Sequence, residues 1–169
     1  MGRNEVEAQL ETLYLTYTRS VFRYAVRRGS PKEDAEDVVI DTFVLCWKHL
    51  PQLPEQPLPW LIRATRGILA NKRRARAREN ALCARIAQAE ERTEVTEEAE
   101  SHPSPKEKAL LFAISELSEM DRETLLLVEL DGLSAPETAL AVGSSAQAVR
   151  HRLSRTRRLL REKLGMLYE

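Results

Sequence analysis

The amino-acid sequence predicts an all-α protein with two small helical domains joined by a flexible acidic linker. Charged residues are 31% of the 169 positions, aromatic residues are 5% and glycines number only 6, a composition that favours amphipathic helices over sheets. Apolar residues recur at helical spacing in several segments, but between about residues 88 and 105 they thin out and Glu dominates. We therefore expect a first domain over 1–79, a linker over 80–105 and a second domain over 106–169.

Three helices are predicted in the first domain. Apolar residues repeat every three or four positions over 5–28, which indicates the first helix. Ser30-Pro31-Lys32-Glu33 combines a capping Ser, a Pro at the first helical position and a Glu three residues after the cap, and so predicts the start of the second. Four prolines in the nine residues 51–59 predict a stiff loop. The third helix is then expected over 60–78.

The second and third helices differ in charge. The second shows Asp34, Asp37 and Asp41 on one face, about one helical turn apart. Its other face is predicted to be buried and comprises Ala35, Val38, Val39, Phe43, Cys46, Trp47 and Leu50. The third helix has seven basic residues and no acidic one between Arg63 and Arg78. Trp60 lies on its apolar stripe, which favours core packing over a platform on which a base stacks.

A helix-turn-helix is predicted in the second domain. Ser104-Pro-Lys-Glu107 predicts the domain's first helix, and a further helix is expected from Asp121 to Asp131. Ser134 to Glu137 and Ser144 to Gln147 then both fit a capping box, which marks the starts of two more helices. Gly143 lies between them, where a positive φ would allow a sharp turn. The last helix could therefore enter a DNA major groove.

The last helix is predicted to have one buried stripe and one basic face. From Arg150 to Lys163 there are seven Lys or Arg against one acidic residue, although the whole chain has a formal net charge of zero. The expected buried stripe is Val149, Leu153, Thr156, Leu160 and Leu164. The expected outward face is Arg150, His151, Ser154, Arg155 and Arg158. Such a face suits a polyanion, although a two-helix packing motif with a solvated basic face would show the same pattern.

The sequence disfavours enzymes and metal proteins. The three histidines, His49, His102 and His151, lie in three different contexts, and no nucleophile or carboxylate pattern accompanies them. Cys46 and His49 are three apart, but a zinc site needs about four ligands and no second pair exists. We expect no catalytic residue, no metal and no cofactor. No apolar run approaches the ~18 residues that span a bilayer, and no signal-peptide core is visible, so we expect a cytoplasmic protein.

Taken together, these features resemble a bacterial RNA polymerase sigma factor of the extracytoplasmic-function group of the sigma-70 family. The resemblance is carried by Asp34-Ala-Glu-Asp-Val-Val-Ile-Asp-Thr-Phe-Val-Leu-Cys-Trp47, by Trp60-Leu-Ile-Arg-Ala-Thr-Arg66, and by the segment from Leu125 to Arg161. Two departures stand out. Gly67 is found where the family often has an Asn in its minus-ten helix, and Ser144-Ser145 replaces a commoner apolar-Pro pair at the turn.

The resemblance implies two docking tasks, with core RNA polymerase and promoter DNA as partners. Residues that would bind polymerase, through the β′ clamp helices, are Asp34, Asp37, Asp41, Phe43 and Trp47, with Phe43 and Trp47 as core beneath that surface. The loop 51–59 corresponds to the segment that holds a flipped base of the minus-ten element. Residues on the minus-ten side would be Arg63, Arg66, Asn71, Lys72, Arg73 and Arg74.

The resemblance also assigns the reading of the minus-thirty-five element to the last helix. Residues implied there are Ser145, Gln147, Ala148, Arg150, His151, Arg152, Ser154 and Arg155, with Arg150 and His151 nearest the base edges. The β flap of polymerase is a further implied contact. The resemblance implies a monomer when free, with no membrane association, and it leaves room for a separate anti-sigma protein.

Two other functions fit parts of the sequence. One is a dimeric one-component regulator that binds duplex DNA without polymerase and uses 1–79 as an effector or dimerisation module. The other is an interaction protein that sequesters a partner through the acidic helix. Transcription with core polymerase would separate the three.

Overall fold

The computed structural model describes residues 3–86 and 104–165, and the regular secondary structure in these ranges consists of seven α-helices and one 3-10 turn. Helices α1–α3 pack on one another in a first compact unit, and α4, α5 and α7 pack together in a second. Their bounds are α1 Arg3–Arg27, α2 Lys32–Lys48, α3 Leu58–Ile86, α4 Pro105–Ser115, α5 Glu119–Glu129, α6 Ala135–Val142 and α7 Ala146–Gly165. The predicted all-α fold class is confirmed.

The core of the first unit is formed where α2 packs between α1 and α3. Its buried residues are Val21, Val39, Phe43, Cys46, Leu50 and Leu61, and Trp60 is among the half-buried side chains packed against them. Thr42 and Thr65 share a buried hydrogen bond of 3.2 Å between their hydroxyls, and each hydroxyl also donates to a carbonyl four residues earlier. The two threonines therefore join α2 to α3 without leaving an unpaired polar group. Burial also raises the pKa of the Cys46 thiol.

The start of α2 differs from the prediction. The N-terminal cap is Pro31, not Ser30, and no side chain makes a capping hydrogen bond. The Ser30 capping box predicted from the sequence is therefore wrong. Pro31 has no N–H to satisfy and its φ of −51° already suits a helix entry, so the turn forms without a side-chain acceptor.

The prediction that Trp47 is a core residue is also wrong. Its side chain is 57% exposed, whereas Phe43 is 5% exposed. The buried stripe of α2 runs from Ala35 to Cys46 at helical spacing. Trp47 is one residue beyond Cys46, which rotates it by about 100° away from that stripe.

The irregular part of the proline-rich segment is shorter than the predicted loop over 51–59, because regular structure occupies both of its ends. A 3-10 turn covers Leu50–Gln52, and α3 begins at Leu58, two residues before the predicted start. Pro59 is accommodated because the first turn of a helix needs no N–H from it. The segment left between these two elements is 53–57.

At its other end, α3 continues past the predicted domain boundary at residue 79 and ends at Ile86. The first positions of the predicted linker, 80–86, are therefore helical. Most of that linker, 87–103, lies outside the described residues. The domain boundaries stay a prediction.

Capping residues set the first helices of the second unit. Ser104 and Glu107 form the predicted capping box, in which each side chain accepts from the other's backbone N–H. Hydrogen bonds to its carboxylate from the backbone N–H of Ser104, which has the larger effect, and from the Ser104 hydroxyl lower the pKa of Glu107. Ser118 caps α5, which begins at Glu119, slightly before the predicted start. Gly132 follows α5 with a φ of 68°, as expected of a helix-terminating glycine.

Candidate nucleic-acid and partner-binding surfaces

The turn between α6 and α7 fixes where the last helix begins. The Ser134 N–H donates to Glu137 Oε2 at 2.7 Å and the Glu137 N–H to Ser134 Oγ at 3.4 Å, so the capping box predicted for α6 is confirmed. Hydrogen bonds from the hydroxyl and then the N–H of Ser134 lower the pKa of Glu137. Gly143 has the predicted positive φ, 71°.

The cap of α7 is one residue later than predicted. Ser145 Oγ accepts from the Ala148 N–H at 3.1 Å. Ser144 belongs to the turn, where its N–H donates to the Ala139 carbonyl at 2.9 Å. The Ser144–Gln147 capping box is therefore wrong, because the left-handed Gly143 needs one more residue before helical geometry resumes.

The two faces of α7 are as the periodicity predicted. Val149, Leu153, Thr156 and Leu160 are buried, and Leu164 is half-buried. The five predicted outward residues are all exposed. A shallow cavity of about 510 Å³ opens on this face, lined by Ala148, His151, Arg152, Ser154, Arg155 and Arg158. Seven of the eight residues predicted to read the minus-thirty-five element lie in the first three turns of α7, and the eighth, Ser145, caps the helix.

Two of the predicted DNA-binding arginines are held by an acidic residue that the sequence analysis missed. Asp121 Oδ1 in α5 forms an ion pair with Arg152, 3.2 Å from its Nε, and accepts a hydrogen bond from Arg155 Nη2 at 3.0 Å. The Arg152 side chain is only 25% exposed. Arg150 and His151 make no ion pair or hydrogen bond with any side chain in the described ranges. The two side chains predicted at the base edges are thus available, while Arg152 and Arg155 are partly neutralised.

The basic residues of α3 lie next to the acidic residues of α2. Lys72 Nζ is 3.2 Å from Asp41 Oδ2, and Arg76 pairs with Asp34. Asn71 Oδ1 accepts a hydrogen bond from Arg74 Nη2 at 2.5 Å. The other residues predicted on the minus-ten side are also on α3, with Arg63 and Arg73 exposed and Arg66 half-buried. Two of the three predicted docking aspartates therefore face α3, and Asp37 is exposed beside them.

A second surface of α2 is apolar. Ile40, Val44 and Trp47 are exposed by 57%, 44% and 57%, and with Tyr14 of α1 they line a groove of about 390 Å³. Phe43 forms the floor of this groove and packs edge-on against Tyr14, with ring centroids 4.9 Å apart. We call this the α1–α2 groove. Exposed apolar groups grouped in this way mark interaction sites more often than isolated ones do.

Sequence reasoning missed the α1–α2 groove. Ile40, Val44 and Trp47 are at positions i, i+4 and i+7, which is the spacing of a second apolar stripe beside the buried one. A helix with two adjacent apolar stripes covers more of its circumference than one core contact requires. This second apolar stripe was the sequence signal from which the α1–α2 groove could have been predicted.

The chain matches two sigma-70 family models, region 2 at residues 13–79 and region 4 at residues 107–160. It is 30% identical over 149 residues to the RNA polymerase sigma factor NccH of Alcaligenes xylosoxydans, covering 82% of this chain and 77% of NccH. The sigma factor CnrH of Cupriavidus metallidurans is 32% identical over 142 residues, covering 76% and 72%. The solved structure of CnrH in complex with the cytosolic domain of CnrY has a TM-score of 0.62 and 25% structure-aligned identity, and covers 95% of this chain and 90% of that one.

The chain belongs to the sigma-70 family of RNA polymerase sigma factors, in its extracytoplasmic-function group. Members of this family bind core RNA polymerase and direct promoter recognition at transcription initiation, and this is the function of the chain. The predicted family and function are confirmed. No helix in the described ranges is long and apolar enough to cross a membrane.

Proposed function

We propose that α7 reads the minus-thirty-five element with its first turns, and that Arg150 and His151 contact base edges. The supporting observation is the defined start of α7, where a left-handed Gly143 and the Ser145 cap precede two exposed side chains that have no side-chain partner among the described residues. A recognition helix contacts bases through residues near its N-terminus. Arg can donate two hydrogen bonds to guanine, and this discriminates against other bases.

The remaining minus-thirty-five residues act around those two. Asp121 pairs with Arg152 and Arg155 and limits the movement of their guanidinium groups, which suits contacts to flanking phosphates better than the reading of a base. Ser145, Gln147, Ala148 and Ser154 complete the surface on either side. Phosphate contacts fix the register of the helix on the duplex without reading sequence.

In the first unit, α3 follows the backbone of the minus-ten region. The residues of α3 on the minus-ten side extend over about three turns, and the helix has no acidic residue before Glu79; they are Arg63, Arg66, Asn71, Lys72, Arg73 and Arg74. A cluster of this density neutralises several phosphates and gives strong salt dependence. The preceding proline-rich segment stands where a flipped base would be held, and its buried Pro57 and Pro59 anchor it to the unit.

Core polymerase docks on α2. Asp37 and Asp41 supply an acidic edge, and the α1–α2 groove supplies adjacent apolar area. The partner surface on polymerase is the β′ clamp helices, with the second unit contacting the β flap. Buried aromatic anchors carry a large share of interface energy, and the exposed Trp47 fits that role better than the buried Phe43, which positions the groove.

A titration of purified core polymerase with this protein tests the docking proposal. Asp37→Lys combined with Asp41→Lys, and separately Trp47→Ala, should each weaken core binding by at least tenfold while helix content stays near that of the wild type. Glu55→Lys, an exposed residue of the proline-rich segment, is the matched charge control. Unchanged affinity in both docking variants would remove α2 from the interface.

Run-off transcription separates this assignment from a one-component regulator. With core polymerase the protein should start transcripts at specific promoters, and without it specific duplex binding should be weak. Tight, specific duplex binding by the protein alone, with no effect of added core enzyme, would favour the regulator.

A separate anti-sigma protein is a second proposed partner. The solved structure of CnrH contains the cytosolic domain of CnrY, and the α1–α2 groove here is an apolar surface that such a domain could cover. A candidate anti-sigma domain should compete with core polymerase for the wild type, and Trp47→Ala should weaken direct binding of that domain while Glu55→Lys does not.

A further inference from the structure

The carboxylate of Asp121 has a fixed place in the second unit. Asp121 lies in the first turn of α5, and its N–H donates to the Oγ of the capping Ser118 at 3.2 Å. The guanidinium of the next residue, Arg122, donates to the carbonyls of Ile114 and Leu117 at 3.1 Å each and so holds the end of α4 and the turn before α5. The Asp121 side chain is only 15% exposed. Its carboxylate is therefore held more firmly than that of a solvated surface ion pair.

Two arginines of α7 share this one carboxylate, and they differ in exposure. Arg152 Nε lies 3.2 Å from Asp121 Oδ1, and the Arg152 side chain is 25% exposed. Arg155 is 65% exposed, and its Nη2 lies 3.0 Å from Oδ1 and 3.3 Å from Oδ2. The hydrogen bonds that Arg155 makes among the described residues all use Nη2, so Nε and Nη1 keep their donors for another acceptor. Two positive charges and one negative charge leave this group with one net positive charge rather than two.

The smaller net charge weakens the attraction of any duplex to this part of α7. Non-specific DNA binding is almost wholly electrostatic and depends on how many phosphates the protein neutralises. A phosphate held by the remaining donors of Arg155 would lie within the Debye length of the Asp121 carboxylate, about 8 Å at physiological salt, so salt does not screen the repulsion between them. A duplex in an arbitrary register therefore gains less here than two unpaired arginines would give it.

A duplex in the correct register has a compensating gain. Asp121 already orients the guanidinium of Arg155, so a phosphate that meets Nε and Nη1 in the right place accepts two charge-assisted hydrogen bonds at little cost in side-chain entropy. A phosphate that is displaced from this place meets the same repulsion without both hydrogen bonds. The balance between attraction and repulsion therefore depends on register.

We propose that Asp121 is a positioning residue that determines specificity, acting through Arg152 and Arg155 to weaken the binding of DNA in the wrong register. The proposal rests on the minus-thirty-five role proposed for α7 and adds a repulsive element to it. Proteins discriminate between ligands by weakening the wrong complex as well as by strengthening the right one. Asp121 does this with one half-buried negative charge behind two arginines of the DNA-facing surface, without a DNA contact of its own.

The test compares reconstituted holoenzyme on two promoters that share one minus-ten element. One promoter has the preferred minus-thirty-five sequence and the other has that sequence scrambled. Asp121→Asn keeps the shape of the side chain and removes its charge. It should raise open-complex formation on the scrambled promoter about threefold or more, change it less on the preferred promoter, and steepen the slope of log affinity against log salt by about one unit.

Glu129→Gln is the matched control. Glu129 lies at the other end of α5 and pairs with Arg157 of α7 at 2.7 Å, so this variant also removes one negative charge and one ion pair between the same two helices. Arg157 is not among the residues predicted to face the DNA, so the ratio between the two promoters should remain that of the wild type. An equal fall of the ratio in Glu129→Gln and Asp121→Asn would show that net charge alone sets it, and this would overturn the proposal.

A second variant gives a result even if the fold does not tolerate Asp121→Asn, which removes the partner of Arg152. Arg155→Gln changes an exposed side chain and should reduce the salt slope by about half a unit rather than the full unit expected of an unpaired arginine, because Asp121 already neutralises part of its charge. A full-unit reduction, or an unchanged ratio in a normally helical Asp121→Asn, would overturn the role of Asp121 alone. An unchanged ratio in Arg150→Ala would instead overturn the minus-thirty-five role of α7.

Discussion

The two basic helices of this protein, α3 and α7, have similar side chains but arrange them differently. In α3 the cations from Arg63 to Arg76 are spread over several turns, and two of them pair with Asp41 and Asp34 of α2. In α7 a glycine turn and a serine cap fix the first residue of the helix, and Arg150 follows within two turns. The feature that distinguishes α3 is the number of cations along the helix, whereas the feature that distinguishes α7 is the fixed position of its side chains relative to the start of the helix.

This difference indicates what each kind of DNA contact requires. A phosphate is repeated at every nucleotide, so a helix can bind the backbone in several equivalent ways if it is basic enough. A base edge presents one pattern in one place, so the side chain that reads it needs a helix whose start is fixed. Asp121, which orients Arg152 and Arg155, adds to this positioning in α7.

The largest expected effect on the stability of the protein comes from a substitution that disrupts the turn before α7. Gly143→Ala forces a Cβ into a φ of 71°, and the left-handed conformation costs an L-residue about 1–2 kcal/mol. Thermal unfolding should show this loss, and promoter discrimination at the minus-thirty-five element should fall with it. Gly165→Ala, at the other end of α7, is the control and should change neither.

A smaller effect should distinguish the two serines before α7. Ser145→Ala should destabilise the protein by about 1 kcal/mol because the Ala148 N–H loses its acceptor. Ser144→Ala should change stability much less, because the hydrogen bond of Ser144 uses its backbone N–H. Equal losses in urea unfolding would show that the cap had been assigned to the wrong serine.

The sequence predicted features that repeat along a helix better than the roles of single residues. Hydrophobic periodicity and composition were sufficient to predict the helices and the buried stripe of α7. A stripe that repeats over several turns can be recognised even when the ends of the helix are predicted wrongly. Single-residue assignments failed at Ser30, Ser144 and Trp47. A cap depends on the φ of the preceding residue, and one residue of rotation moves a side chain from core to surface.

Ion pairs between helices were beyond the sequence analysis for another reason. Asp121 in α5 is separated from Arg152 and Arg155 in α7 by the whole of α6, and no local pattern connects them. The ion pair between Lys72 and Asp41 likewise depends on which face of α2 lies beside α3. Both features follow from tertiary packing, which periodicity alone does not specify.

The smallest expected effect is a pH dependence at the start of α6. Hydrogen bonds from Ser134 hold the pKa of Glu137 below its ordinary value of 4.5 in the folded state. The unfolded chain therefore takes up this proton first as pH falls, so the stabilisation is complete above about 4.5 and is lost as pH falls through the folded pKa. Ser134→Ala should lower stability at pH 7 and flatten its decline in this acidic window. Ser145→Ala, whose cap involves no carboxylate, should lower stability without flattening that decline.

The division of roles between α7 and α3 is tested most directly by open-complex formation on single-base promoter variants at several salt concentrations. Arg150→Ala should cost about 1–3 kcal/mol on the preferred minus-thirty-five sequence and relax the preference at one base pair. Arg73→Ala and Arg74→Ala should weaken all variants almost equally, and each should reduce the salt slope by about one unit. If Arg150→Ala shifted every variant equally while Arg73→Ala changed the base preference, the assignment of base reading to α7 and phosphate binding to α3 would be contradicted.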